Sequence, residues 1–301
     1  LQASVIAEDS FLTEVASHLI LAGGKRVRPA FAVTSAATSD LVMGAATPEV
    51  IMGAVSVELV HLGSLYHDDV MDEADTRRGV ETVNAKWGNL QAILAGDFLL
   101  SRASEIAASL GTEVAGLLAR TIGWLCEGQI EELRHTYDLS RTEESYLRSI
   151  HGKTASLYGT AARIGGIAAG HDRPVIDSLT EYGNAYGTVF QIVDDILDIT
   201  ATDAQLGKPA GHDMVEGVYT LPVLRTLSLG KTDAGKIRSV KTAAVRKALL
   251  SELGFDTPTI SAKKLNPARL AESPSAAGVL EATGKLNKAL SHKRRLGLFA
   301  G

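Results

Sequence analysis

The pattern Asp-Asp-x-x-Asp occurs twice in this chain, each time inside an apolar run with helical spacing. The first copy, Asp68-Asp69-Val70-Met71-Asp72, follows Val57, Leu59, Val60, Leu62 and Leu65. The second, Asp194-Asp195-Ile196-Leu197-Asp198, follows Phe190, Gln191, Ile192 and Val193. On a helix, residues four apart share a face, with Cβ atoms about 6 Å apart. Asp68 and Asp72 therefore repel each other beneath an apolar stripe and lose hydration. A hard divalent cation relieves both costs, and Mg²⁺ commonly takes one or two carboxylates while keeping positions for water and phosphate oxygens. One such pattern is a weak signal, because acidic helix faces are usually just solvated. Here each copy has basic residues downstream, Arg77-Arg78 after the first and Lys208 after the second. Guanidinium forks match phosphate oxygens. The combination points to a diphosphate held through Mg²⁺, with two acidic walls expected to face each other across a helical bundle.

Composition supports an all-α chain. Apolar residues make up 45% of the 301, only 8 are proline, and β-type alternation is scarce. We expect a single domain over residues 1–301 with one core. No apolar run reads as long and clean enough to span a membrane. No secretory signal is read at the start, and the single cysteine, Cys126, fits a reducing compartment. A cytoplasmic location is expected. The net charge of −5 hides an asymmetry: residues 231–301 carry 14 Lys and Arg against 5 Asp and Glu, while the first 230 carry 16 against 30. The basic end, with His292-Lys293-Arg294-Arg295, reads as a solvated terminal face or as a peripheral contact with anionic lipid headgroups. Nucleic acid is not an expected partner.

Further candidates lie along the chain. Residues 1–22 read as a helix closed by Gly23-Gly24. The turn Lys25-Arg26-Val27-Arg28-Pro29 then precedes an apolar helix expected over 30–38, so its cations gather at a helix N-terminus, which favours phosphate. Pro48 opens the helix that carries His61, two turns before Asp68 on the same side. A histidine on an apolar helix is usually a satisfied core residue; its alignment with the acidic face makes His61 a candidate phosphate contact. Asp97 is expected to be a buried hydrogen-bond acceptor. Gly152-Lys153-Thr154 could clamp a phosphate, but lacks the upstream glycine spacing of a P-loop. Gly165-Gly166 and Gly170 are expected to break the helix after it.

Taken together, Gly24-Lys25-Arg26-x-Arg28-Pro29, His61, the two acidic motifs, Arg77-Arg78-Gly79, Lys153-Thr154, Phe190-Gln191 and Gly207-Lys208-Pro209 resemble the trans-polyprenyl diphosphate synthases. The resemblance covers roughly residues 20–228; residues 230–301 diverge. It implies an isoprenoid-synthase-type helical bundle around a central cavity, usually in a homodimer. It also implies condensation of isopentenyl diphosphate with an allylic diphosphate such as farnesyl or geranylgeranyl diphosphate. By carry-over, Asp68, Asp72, Asp194 and Asp198 would bind Mg²⁺, with three ions expected when diphosphate is bound. Arg77, Lys153 and Lys208 would neutralise the allylic diphosphate, with Thr154 and Gln191 lining its site. Lys25, Arg28, His61 and Arg78 would bind isopentenyl diphosphate. Gly63 and its neighbour Ser64, about five residues before Asp68, stand where a bulky residue would stop the product. Small residues there imply an open tunnel and a product of C20 or longer, in the range C30–C50. Two rivals are a partner-dependent subunit of a heteromeric synthase and a terpene cyclase; the second Asp-Asp-x-x-Asp argues against the cyclase.

Overall fold

The structure is a computed structural model that describes residues 1–38, 47–200 and 211–228. The chain falls into two compact units, Leu1–Leu125 with Ser156–Gly183, and Cys126–Ala155 with Asn184–Gly301. Apart from one two-stranded hairpin, the regular elements described are helical, so the all-α expectation holds.

In the first unit, a short 3₁₀ turn (Gln2–Val5) precedes α1 (Ser10–Leu21). Residues 1–22 are thus not one helix. Asp9 interrupts them by capping α1, its side chain accepting the Leu12 N–H. Gly23 and Gly24 close α1 with φ of +90° and +131°, values open to glycine. Helix α2 (Val27–Ala36) begins three residues earlier than expected, so Arg28 lies in its first turn and only Lys25 and Arg26 precede it. Helix α3 (Pro48–Met71) starts as read, with Thr47 as N-cap and proline in its first turn. Residues Thr76–Arg77 (β1) and Val80–Glu81 (β2) pair antiparallel. Their two-residue turn, Arg78-Gly79, has φ of +55° and +78°, the double positive φ of a type I′ hairpin. Then come α4 (Val83–Trp87), α5 (Asn89–Ser109), α6 (Thr112–Arg134) and, later, α8 (Ser156–Ala168).

Helix α3 is the centre of this unit and packs against α2, α5 and α8. Its Val57, Leu59, Val60, Leu62 and Tyr66 are buried with Ala92, Ala95, Leu99 and Ala103 of α5 and with Leu157, Ala161 and Ile164 of α8. The small residues on α5 let the helices approach closely. A Cβ on Gly165 of α8 would strike the Ala32 carbonyl of α2. Gly165 and Gly166 therefore lie within α8 as close-packing positions, not breaks; the helix ends at Ala168, and Gly170 (φ +70°) stands in the turn that follows. Helix α3 is also long and apolar enough to cross a membrane, contrary to the sequence expectation, but most of it is buried inside the protein, as suits a core helix.

The second unit holds the end of α6, α7 (Glu143–Ile150), a π-helical turn (His151–Ala155), the later part of α9 (Arg173–Thr200), α10 (His212–Val215) and α11 (Leu221–Ser228). Thr142 caps α7 by accepting the Ser145 N–H. Its core joins Tyr146 and Ile150 to Ile199, Met214, Tyr219, Val223 and Leu224.

Candidate active site

The first acidic motif sits where α3 ends. Asp68 is in the last turn and half-buried; Asp72 is the C-cap and exposed, and its N–H donates to the Asp68 carbonyl at 2.8 Å. The two outer carboxylates thus stand one turn apart. Asp69 points the other way: it is buried, and Arg77 Nε donates to its Oδ1 at 2.5 Å. Burial raises the Asp69 carboxyl, opposed by the Arg77 guanidinium. Arg77, expected on the allylic diphosphate, is therefore engaged with a protein carboxylate.

A cation cluster stands at the α2 N-terminus. Arg26 adopts φ +50°, unusual for a residue with a side chain. Its guanidinium donates to the Ile20 carbonyl at 2.9 Å and to buried Glu58 at 2.5 Å. Arg78 reaches under the glycine turn, donating to the carbonyls of Leu19 (3.0 Å) and Gly23. A Cβ on Gly24 would lie 2.9 Å from that guanidinium, so a glycine is required there on both counts. Arg28 lies 4.6 Å over the Tyr158 ring and donates through Nη1 to His61 Nε2 at 3.1 Å. Guanidinium has no acceptor, so His61 Nε2 accepts and its proton sits on Nδ1. Burial first, then the Arg28 guanidinium, holds His61 well below its usual value. Arg28 Nε is buried without an acceptor among the described residues, a costly state for a charged donor that an anion would relieve. Lys25 is exposed beside these groups in sequence.

Gly63 is a helix contact. A Cβ there would meet the Gly96 carbonyl at 3.0 Å and Leu100 Cγ at 3.1 Å, both on α5. Its side-chain direction is filled by α5, which corrects the reading of Gly63 as an open tunnel wall. Ser64 is half-buried, its hydroxyl donating to the His61 carbonyl at 2.9 Å. Asp97 also departs from expectation: it lies off the Ala92/Ala95/Leu99 stripe, 64% exposed, with His67 Nε2 3.4 Å away.

The second motif lies within α9. Asp194 is exposed, while Asp195 and Asp198 are buried. Asp195 accepts from the Tyr146 hydroxyl at 2.5 Å and from Gln191 Nε2 at 2.9 Å. Gln191 Oε1 accepts in turn from Thr154 Oγ at 2.7 Å. Burial pushes the Asp195 carboxyl up to about 7 against these two hydrogen bonds. Asp198 is turned toward α10, its Oδ2 accepting the Asp213 N–H at 3.4 Å. Lys153 Nζ pairs with Glu132 of α6 at 2.7 Å. The π-helical turn that carries Lys153 and Thr154 packs on Gly128, where any Cβ would strike the Lys153 N–H and Ser149 carbonyl. Single π turns of this kind recur at functional sites. Lys208 lies outside the described residues, as do residues 230–301.

The structure thus brings Arg28 and His61 together beside Arg78, and Thr154 together with Gln191. It also adds residues that pattern reading passed over. Asp69 and Glu132 each hold a cation expected on substrate, Glu58 holds Arg26, and Tyr146 holds Asp195. The spacing of Gln191 and Asp195, four apart on a helix, was the one sequence signal for the latter network; Tyr146 carried none. No group of three or more His, Cys, Asp and Glu side chains forms a ready-made metal cage among the described residues.

Helical units carrying two acidic motifs, each flanked by cations, define a class of diphosphate-handling prenyl-transfer proteins, and comparison with known proteins specifies it. A family model described as polyprenyl synthetase matches residues 9–248. The chain is 43% identical over 261 residues to nonaprenyl diphosphate synthase of Mycobacterium tuberculosis, covering 82% of this chain and 73% of that protein. It is 44% identical over 229 residues to heptaprenyl diphosphate synthase component 2 of Geobacillus stearothermophilus, covering 76% and 70%. Among solved structures, it resembles polyprenyl synthase from Caulobacter crescentus complexed with calcium and isoprenyl diphosphate, with a TM-score of 0.80 and 30% identity over 94% of this chain and 86% of that one. The chain belongs to the polyprenyl synthetase family. Membership makes it a prenyltransferase of isoprenoid biosynthesis with the isoprenoid-synthase fold.

Proposed function

We propose that this chain condenses isopentenyl diphosphate with an allylic diphosphate to give an all-trans polyprenyl diphosphate of C30–C50. One observation carries the reading. Within one unit, a cation cluster (Arg28, Arg78, His61) is built at the start of α2, and two outward carboxylates stand at the end of α3. His61 and Asp68 are seven residues apart, about 10 Å along the axis. That provides separate places for a diphosphate held by cations directly and for one held through a metal. The relatives named as hepta- and nonaprenyl synthases support the long product.

The donor set fits a hard divalent ion. Asp68 and Asp72 in the first unit, and separately Asp194 in the second, offer carboxylate oxygens; with no three-ligand cage among the described residues, a metal held by either would be completed by phosphate oxygens and water, as Mg²⁺ prefers. Calcium in the Caulobacter complex is consistent with that chemistry. When bound, Mg²⁺ would neutralise diphosphate charge as the allylic C–O bond weakens. Arg77 and Lys153 would exchange Asp69 and Glu132 for phosphate oxygens and take up further charge. Arg28 Nε would gain the acceptor it lacks when isopentenyl diphosphate binds. The isopentenyl double bond then attacks the allylic cation to form the new C–C bond, and the released diphosphate accepts the proton. We place the enzyme in the cytoplasm as a homodimer, with a peripheral membrane contact through its basic end.

A second reading rests on the relative named component 2: activity could require a partner chain. The test is to incubate the purified chain with Mg²⁺, labelled isopentenyl diphosphate and farnesyl diphosphate, and to size the products. A ladder ending at C30–C50 supports the first reading; product that appears only with a second chain supports the other. Asp68→Ala should abolish turnover while circular dichroism stays unchanged; turnover near wild type would overturn the metal assignment.

A further inference from the structure

Tyr146 lies on α7 (Glu143–Ile150), away from both acidic motifs in sequence. Its ring is fully buried and its hydroxyl donates to Asp195 Oδ2 at 2.5 Å. The buried Arg141 steadies it: the guanidinium sits 5.6 Å from the ring centroid, donating to Ser149 Oγ at 2.5 Å and to the Tyr219 carbonyl at 3.3 Å. Asp195 Oδ1 takes Gln191 Nε2, four residues back on the same helix. With its amide nitrogen committed, Gln191 can offer only Oε1 to Thr154, so Thr154 must donate to it. The four side chains thus form one relay whose donors converge on Asp195, Tyr146 from one side and Thr154 through Gln191 from the other, and the Thr154 proton is spent inside it. Asp195 and Asp194 are neighbours on α9 and point about 100° apart. Holding Asp195 inward by two donors fixes α9 with Asp194 outward, as observed.

We propose that Tyr146 is a positioning residue for the allylic diphosphate. By clamping Asp195 it selects Asp194 as the carboxylate presented outward, and it holds in place the acceptor toward which Gln191 and Thr154 donate, so that Thr154 offers oxygen lone pairs, not a proton. Thr154 would therefore accept a hydrogen bond from water or from a cation beside the diphosphate, and would not donate to phosphate. This inference rests on the prenyltransferase reading above.

The test uses the full chain and the variants Tyr146→Phe, Thr154→Val and the double variant. Tyr146→Phe removes one oxygen and keeps the ring. The main readout is the Kd of farnesyl thiolodiphosphate with Mg²⁺, by calorimetry; the KM values for both substrates are the second. Loss of a hydrogen bond to a buried carboxylate predicts a Kd about tenfold weaker for Tyr146→Phe, with the isopentenyl KM within about twofold of wild type. Tyr146 and Thr154 do not touch, so independent effects would multiply. The relay predicts that the double variant is little worse than the poorer single one. A multiplicative double variant, or a Tyr146→Phe protein that loses both substrates equally along with thermal stability, would overturn the proposal and leave Tyr146 a core residue. Failure of the wild type itself to bind the thiolodiphosphate or turn over would instead overturn the function reading, and the inference with it.

Discussion

Asp69 and Asp195 hold the same place in the two motifs, and both turn inward while a neighbour faces out. Their partners differ: Asp69 takes a guanidinium, Asp195 a phenol and an amide. Arg77→Ala would strand a buried carboxylate. Because Arg77 is itself partly exposed, the cost should be about 2 kcal/mol, as for a buried group left unsatisfied and less than for breaking a fully buried pair. A urea midpoint would show it, and Arg77→Ala combined with Asp69→Asn should recover most of the loss. His61 gives a pH dependence. Burial and Arg28 depress its folded value below 6.5, so the folded protein binds this proton less readily than the unfolded chain. The stability involved is complete above about pH 6.5 and is lost as pH falls from there toward the folded value. His61→Gln, which cannot take up the proton, should therefore lose less stability than wild type on acidification from about pH 6.5 to 5; denaturant midpoints across that range would decide it. The sequence displayed the outer aspartates and the cations because their types and spacing are written in the chain. It did not display Glu58 and Glu132 as partners of the cations, or Tyr146 as the partner of Asp195, because those pairings span 21 to 49 residues and exist only once the helices have packed.

At the scale of elements, long amphipathic helices were legible and their edges were not. Asp9 split the first helix because a side-chain cap outcompeted continuation, and α2 started early because Arg26 accepts a left-handed turn that Glu58 and the Ile20 carbonyl hold in place. Gly165-Gly166 misled as a break because glycine serves close helix packing as readily as chain termination. Gly63 misled for the same reason: the absent side chain makes room for α5, not for product. The π-helical turn at His151–Ala155 has no local signature, but its support does. Gly128→Ala would push a methyl into the backbone of Lys153 and Ser149, where no flexible side chain can give way. We expect a loss of about 1–3 kcal/mol by overpacking. Allylic KM should rise more than isopentenyl KM, because the turn carries Lys153 and Thr154. Steady-state kinetics with each substrate varied in turn would check this.

Over the whole molecule, α3 shows how hydropathy alone can mislead. Its composition would suit a bilayer, yet its apolar surface is spent on α2, α5 and α8. The paired acidic motifs pointed to the family because two Asp-Asp-x-x-Asp patterns with cationic neighbours are hard to account for by packing alone. The close helix packing has a practical corollary for anyone wishing to make a sturdier catalyst. Replacing helical glycines with alanine is a common route to heat resistance, and here the folded chain sorts its own candidates. Gly53, Gly128, Gly165 and Gly183 are each blocked by neighbouring atoms. Gly123, exposed in the middle of α6, has no atom within 4 Å of an added methyl among the described residues. Gly123→Ala should raise stability by about 1 kcal/mol and Tm by roughly 2–4 °C, readable in a single thermal melt, so an evolving or engineered lineage has room for heat tolerance on α6 that its packed crossings deny it.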